Sequence, residues 1–169
     1  MQTTPFEVSA TDLFVADKSK VLVPHAPGAS HRALVDEPSK EGFVSMLNAF
    51  RPSGGTARGD ELANLLQDRA RGEYVSLARL ISTGRLLSFR WRESFWVPMF
   101  QFDPDDLTIK PQPQKVVSEL AGVLDDWSLA RWFAEPHPAL RGERPVDCIE
   151  RYAADVLSAA RADRWVMLG

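Results

Sequence analysis

The chain has 169 residues, 44% of them hydrophobic and 25% charged, which predicts a globular protein and excludes wholesale disorder. Its longest run without Lys, Arg, Asp or Glu, from Val21 to His31, is too short to cross a bilayer, so we expect no membrane segment. Cys148 is the single cysteine, which excludes disulfide frameworks and multi-cysteine zinc sites. No secretory leader is recognisable, so we expect a cytoplasmic protein.

The net charge of −3 is unevenly distributed along the chain. Residues 41–100 contain eight basic and six acidic side chains, whereas residues 101–169 contain eight basic and twelve acidic ones. Because phosphates attract positive charge, we expect any nucleic-acid contact in the middle segment. The acidic last third is better suited to a protein partner.

Proline and glycine divide the first 85 residues into an arm and three predicted helices. Residues 1–40 are expected to form an irregular N-terminal arm, which is interrupted by Pro24, Pro27, Gly28 and Pro38. Apolar side chains then recur at helical spacing, and the helices are expected to bury Phe43, Val44, Leu47 and Phe50 in the first, Leu62, Leu65 and Leu66 in the second, and Val75, Leu77, Leu80 and Ile81 in the third. We expect the second helix to begin after Thr56 and end at Arg71-Gly72, and the third to span about residues 74–83, with Gly84 as its cap.

The apolar residues alternate after Gly84, which predicts a β-hairpin. The expected strands are residues 86–91 and 95–100, joined at Glu93-Ser94. Pro98 lacks an N–H donor, so we expect the second strand to lie at a sheet edge. Four aromatic side chains of the hairpin are expected to pack on the second and third helices: Phe89, Trp91, Phe95 and Trp96. The acidic segment that follows, residues 103–106, is predicted to be a turn rather than a calcium loop.

The order of helix, helix and hairpin within residues 41–110 resembles a winged helix-turn-helix in degenerate form, because the loop between the helices is not a compact turn. In that arrangement the second of the two helices enters the major groove and the hairpin contacts adjacent phosphates. The candidate phosphate contacts are Arg79, Arg85, Arg90 and Arg92, with hydroxyl groups from Ser76, Ser82 and Thr83. Arginines also decorate ordinary solvated surfaces, so the pattern leaves both interpretations open.

Residues 111–169 are predicted to be helical. A first helix has Val116, Val117, Leu120, Val123 and Leu124 on one face. Asp125 is expected to cap a second helix that includes Trp127, Trp132 and Phe133, and a last helix is expected over residues 153–162. The predicted fold is therefore mainly α with one β-hairpin, in which a helical C-terminal domain (111–169) follows a winged helix-turn-helix-like module (41–110).

The usual catalytic patterns are missing, so we do not expect an enzyme, a cofactor, a metal or a small-molecule substrate. There is no glycine-rich phosphate loop with its lysine, no nucleophile elbow and no histidine pair at metal-ligand spacing. Cys148 and His137 can be imagined as a nucleophile and its base. Cys148 is better explained as a small core residue of a short helix.

The most distinctive segment is residues 132–149, and its local chemistry can be derived. Gly142 permits a left-handed turn above an apolar anchor, Leu140. Arg144 precedes a proline and is therefore extended, as a helix cap requires, and Pro145 suits the first helical position. Asp147, two residues later, is expected to accept a hydrogen bond from the N–H of the cap residue.

The segment W-F-x-x-P-H-P-A-L-x-G-x-R-P-V-D-x-I resembles the signature of the Xre/MbcA/ParS-like antitoxin toxin-binding domain, over about residues 112–169. Eight residues match the signature: Trp132, Pro138, Ala139, Leu140, Gly142, Arg144, Pro145 and Asp147. The resemblance implies a helical domain that binds a partner toxin, commonly of the RES class, which destroys NAD. It also implies dimerisation, a DNA-binding module and repression of the protein's own operon. His137 stands where Asn is common and Arg141 where a second Gly is common, and residues 41–100 do not match the Xre helix-turn-helix.

The resemblance further implies that the C-terminal end covers the active site of the toxin. Residues 165–168 are apolar, and the candidate plug residues are Arg161, Arg164 and Trp165. The other interpretation is that this end folds back on its own helices. The leading hypothesis is an antitoxin that neutralises a RES-type toxin. A second is a stand-alone DNA-binding transcriptional regulator whose C-terminal domain mediates dimerisation, and a third is a helical scaffold protein.

Overall fold

A computed structural model of the chain describes residues 38–69 and 76–169. The predicted arm, except for its last residues, and the predicted helix end at Arg71-Gly72 lie outside the described residues. The elements, in chain order, are α1 Lys40–Phe50, β1 Thr56–Arg58, α2 Gly59–Arg69, α3 Leu77–Ser82, β2 Phe89–Trp91, β3 Ser94–Pro98, α4 Pro111–Leu120, α5 Asp126–Ala134, α6 Pro145–Cys148 and α7 Ala153–Leu168. This mainly helical fold with a small antiparallel sheet confirms the predicted fold class. The winged helix-turn-helix detail stays a prediction.

The sheet has three strands in the order β1-β3-β2, all antiparallel. The predicted hairpin is confirmed, with Phe89 opposite Trp96 and a turn in which Arg92 has a φ of 52°. The prediction that Pro98 places its strand at an edge is wrong, because β1 pairs with β3 on its other side. Pro98 is the last residue of β3, and the N–H of Met99 donates to the Gly55 carbonyl at 2.9 Å. The missing proline donor is therefore tolerated at the end of a central strand.

The described residues form two hydrophobic cores. The larger core combines α1, the hairpin and the C-terminal helices. Its buried members include Phe50, Leu87, Phe89, Phe100, Val116, Val117, Leu120, Ala130, Phe133, Ile149, Val156 and Ala160. The smaller core packs α2 and α3 against the sheet through Leu62, Ala63, Leu77, Leu80, Ile81, Leu86, Val97, Phe102 and Leu107. Residues from both sides of position 110 meet in the larger core. The predicted domain boundary therefore does not coincide with a break between cores.

Three of the four hairpin aromatics, Phe89, Trp91 and Trp96, pack on α1 and α5 and not on α2 and α3 as predicted. Phe89 meets Trp127 of α5 edge to face at 5.4 Å between ring centroids, and Trp91 stacks on Phe43 of α1 at 4.7 Å. Trp96, opposite Phe89 across the hairpin, contacts the same Phe43 ring at 5.1 Å. Successive residues of a strand face opposite sides, so Val97 points to the smaller core while these aromatics face α1 and α5.

Two side chains expected in the core are exposed, and one helix is longer than predicted. Val44 lies on the opposite side of α1 from Met46, which is buried in the larger core. Leu65 lies at the edge of the buried face of α2. The last helix, expected to end at residue 162, continues to Leu168.

Among the described residues, the helices are too short or too polar to cross a membrane.

Candidate functional site

The 132–149 segment is a turn held between two helices. Asp125 caps α5 as predicted, its Oδ1 accepting from the N–H of Ser128 at 2.7 Å, so that Trp132 falls in the last turn of the helix. The chain then turns back at His137, whose carbonyl accepts from the N–H groups of Leu140 and Gly142, each at 3.0 Å. Gly142 is left-handed as predicted, with a φ of 79°. Arg141 before it is also left-handed, with a φ of 59°, which the sequence did not indicate.

Arg144 and Asp147 brace the segment from within. Arg144 is extended and Pro145 opens α6, both as predicted. The predicted bond from Asp147 to the cap N–H is wrong: its Oδ2 accepts from Arg144 Nε at 2.6 Å, because a charge-assisted bond is stronger than one to a neutral amide. Arg144 Nη1 also donates to the Ala49 carbonyl at 3.2 Å. The arginine therefore ties the segment to the end of α1.

A carboxylate on α7 joins the segment to the C-terminal helix. Asp163 Oδ2 accepts from the indole N–H of Trp132 at 2.7 Å and lies 2.8 Å from His137 Nε2. His137 Nδ1 accepts from the N–H of Ala139 at 3.2 Å, which assigns the ring proton to Nε2 and makes it a donor to Asp163. We call Trp132, His137 and Asp163 the Asp163 bridge. Sequence analysis missed Asp163, although a half-buried indole needs an acceptor.

The eight signature residues divide by exposure. Leu140 and Pro145 are buried, and Trp132, Arg144 and Asp147 are half-buried. Pro138, Ala139 and Gly142 are exposed and form the outer surface of the turn. Five of the eight residues therefore shape the turn, and three are accessible to a partner.

Cys148 and His137 are not arranged as a catalytic nucleophile and its base. Both ring nitrogens of His137 have other partners, and Cys148 is buried with its thiol 3.5 Å from Glu143 Oε2. Burial raises the pKa of the Cys148 thiol, and the neighbouring Glu143 carboxylate raises it further. A protonated thiol is a poor nucleophile. Nowhere in residues 38–69 and 76–169 do three or more His, Cys, Asp or Glu side chains gather in a way that could hold a metal ion.

The plug candidates separate into two groups. Arg161 Nε lies 3.6 Å from Glu119 Oε2, and Arg164 Nη1 lies 3.2 Å from Glu119 Oε1, so both guanidinium groups face α4. Trp165 is 77% exposed, and Val166, Met167 and Leu168 are exposed with it in the last turns of α7. Within the described residues the apolar end stays helical and does not fold back on the other helices. We call residues 165–168 the apolar end.

The candidate DNA contacts lie at two places. Arg90 and Arg92 are exposed beside the hairpin turn, with their guanidinium groups 5.7 Å from the Phe95 ring and 5.5 Å from the Trp91 ring. Arg79 is exposed on α3, and Arg85 follows that helix. The hydroxyl groups proposed as DNA donors make hydrogen bonds within α3. The Ser76 hydroxyl caps the helix, and the Ser82 and Thr83 hydroxyls donate to the Arg79 carbonyl.

Replacing Asp163 with alanine should lower the free energy of unfolding by about 2 kcal/mol, because two half-buried donors lose their acceptor. Urea denaturation measures the change. Asp155→Ala, an exposed carboxylate on the same helix, is the matched control and should cost only a few tenths of a kcal/mol. Equal losses for the two variants would show that the Asp163 bridge contributes nothing to stability.

Comparisons with protein-family models, with curated proteins and with solved structures each find no match to this chain.

Proposed function

We propose that this protein is an antitoxin, a binding protein rather than an enzyme, that neutralises a RES-type NAD-degrading toxin and works in the cytoplasm as a homodimer. The observation that supports the proposal is the Asp163 bridge. It fastens the turn that resembles the toxin-binding signature to the helix that ends in exposed apolar residues. A partner can therefore contact the turn and the apolar end as a single surface.

The chemistry of this surface suits a protein partner. Exposed large apolar side chains that stand together commonly mark interaction sites, and tryptophan is among the most frequent anchors of protein interfaces. Pro138 and Ala139 add a small, rigid, exposed apolar patch on the turn. Their backbone is fixed by hydrogen bonds within the turn and by the bond from Ala139 N–H to His137, so little conformational entropy is lost on binding.

The experiment is coexpression with a cognate RES-type toxin, with growth, cellular NAD and copurification as readouts. We expect the wild-type chain to copurify with the toxin and to restore growth and NAD. Ala139→Arg places a large cation on the exposed turn and should abolish copurification with the toxin and the recovery of growth and NAD. Asn48→Arg, at another exposed position, on α1, is the control and should behave as wild type. An NAD loss that is the same with and without this protein would refute the proposal.

DNA binding, with repression of the protein's own operon, is the second candidate, and the paired cations of the hairpin favour it. Arg90 in β2 and Arg92 in the hairpin turn are both exposed, and contacts with aromatic rings orient their guanidinium groups. This arrangement resembles a wing that contacts phosphates.

Changing Arg90 and Arg92 together to alanine should weaken binding to every duplex sequence by a similar factor. It should also reduce the slope of log K against log salt by about two, because each phosphate contact contributes about one unit. Fluorescence anisotropy with upstream and unrelated duplexes measures both quantities. A variant that binds as tightly as wild type with an unchanged slope would exclude the hairpin as a DNA contact.

A further inference from the structure

A polar cleft of about 470 Å³ lies where α4 and α7 meet Arg85, in the segment between α3 and β2. Arg85, Lys115 and Arg161 supply positive charge to its walls, and Gln114, Ser118 and Glu119 supply the other polar groups. Leu157 is the apolar residue of the lining. Neither the toxin-binding surface nor the hairpin turn includes Lys115, Gln114 or Ser118.

The cleft has more positive than negative charge. Arg161 and Arg164 share the carboxylate of Glu119, so two guanidinium groups are balanced by one acid. Arg85 is held by a neutral partner, since the Gln114 amide oxygen, turned toward it, accepts from Nε at 2.8 Å and from Nη2 at 3.1 Å. Lys115 is exposed and has no ion pair within the described residues. The lining thus contains three cations, Arg85, Lys115 and Arg161, and a single acid, Glu119, in a chain whose net charge is −3.

The walls of the cleft are fixed in position before any ligand arrives. The Ser118 hydroxyl donates to the Gly84 carbonyl at 3.2 Å, which holds the residue preceding Arg85 against α4. Arg164 Nη1 also contacts the Glu119 carbonyl at 3.4 Å, which holds α7 against the same helix. Cations that are already positioned bind an anion with less loss of conformational entropy.

The lining points to phosphate oxygens as the ligand. Guanidinium groups match phosphate geometry, and Lys, Ser and Gln side chains are the usual further donors to nucleic-acid backbones. The lining residues include no aromatic side chain on which a base could stack, which disfavours a free nucleotide. They include one apolar residue, which disfavours a peptide, because protein partners are anchored by buried apolar and aromatic side chains.

We infer that this cleft binds the sugar–phosphate backbone of duplex DNA without regard to sequence. The inference rests on the DNA-binding candidate and gives it a second contact surface, away from the hairpin turn. Arg85, a candidate phosphate contact that follows α3 in sequence, belongs to this surface.

The test is anisotropy titration of the full chain with a 20-base-pair duplex between 50 and 200 mM salt. Arg85→Gln combined with Lys115→Gln should raise Kd about tenfold and reduce the salt slope by about two. Lys40→Gln combined with Arg51→Gln removes the same charge from exposed positions at the ends of α1 and should leave both values unchanged.

Four results would overturn the inference. Equal weakening of DNA binding by the control pair would show that only the net charge of the protein matters. Wild-type binding by the cleft variant, with loss in the hairpin variant, would leave DNA binding standing and exclude the cleft. If the folded wild-type chain binds no duplex at 50 mM salt, both the DNA-binding candidate and the cleft as a DNA contact are refuted. Binding of a poly-glutamate peptide in place of DNA would assign the cleft to an acidic protein.

Discussion

Replacing Phe133 with alanine is expected to lower the free energy of unfolding by about 3–5 kcal/mol, the range for removing a fully buried phenyl ring. Phe133 is fully buried in the larger core, with its ring centroid 5.0 Å from that of Phe100 and 5.1 Å from that of Trp132. Phe100 lies in the short turn of helix after β3, whereas Phe133 lies on α5. The ring therefore joins the sheet region to the C-terminal helices.

Urea denaturation of the two proteins measures this loss, and Phe43→Ala is the matched control. The Phe43 ring is half-buried, so its removal should cost clearly less. Because the larger core includes residues on both sides of position 110, hydrogen exchange in the Phe133 variant should accelerate together in β3 and α7. Faster exchange confined to the C-terminal helices would show that the two predicted domains are stabilised separately.

The parts of the fold that sequence analysis predicted correctly are those encoded by local chemistry. Asp125 caps α5, Pro145 opens α6, and Gly84 and Gly142 adopt left-handed conformations, because each residue satisfies a backbone requirement of its immediate neighbours. Strand β1 shows the opposite case. Its three residues have no periodicity of their own and become a strand by pairing with β3 about forty residues later in the chain.

The sequence predicted the turn of the candidate site but not the contacts that attach this turn to the rest of the protein. Spacing around Pro145 revealed the geometry of the segment, but Arg144 donates to a carbonyl 95 residues away and Trp132 to a carboxylate 31 residues away. Such contacts depend on how the helices pack, which no short pattern records. The same limit explains why sequence analysis offered Arg85 as a phosphate contact after the third helix but did not place it in a cleft with Lys115 and Arg161.

Deleting residues 165–169 should abolish neutralisation of a RES-type toxin while leaving the protein folded. These residues include the apolar end, which is exposed and contributes little to either core, so the midpoint of thermal unfolding should shift by no more than about 2 °C. The deletion retains Arg161 and Arg164, whose ion pairs with Glu119 hold α7 to α4. Loss of rescue then reports on the apolar end and not on a loosened helix.

The measurement is growth and cellular NAD in cells that coexpress the toxin with the full chain or the shortened one. A Val44→Ser and Leu65→Ser double variant removes exposed apolar side chains elsewhere and should rescue as wild type. Trp165→Ser alone should lose most of the affinity for the toxin, since truncating an anchoring tryptophan costs upwards of about 2 kcal/mol, or roughly thirtyfold in Kd. Full rescue by the shortened chain would leave the exposed turn at Pro138 and Ala139 as the toxin-binding surface. The Asp163 bridge would then position that turn rather than join two halves of one interface.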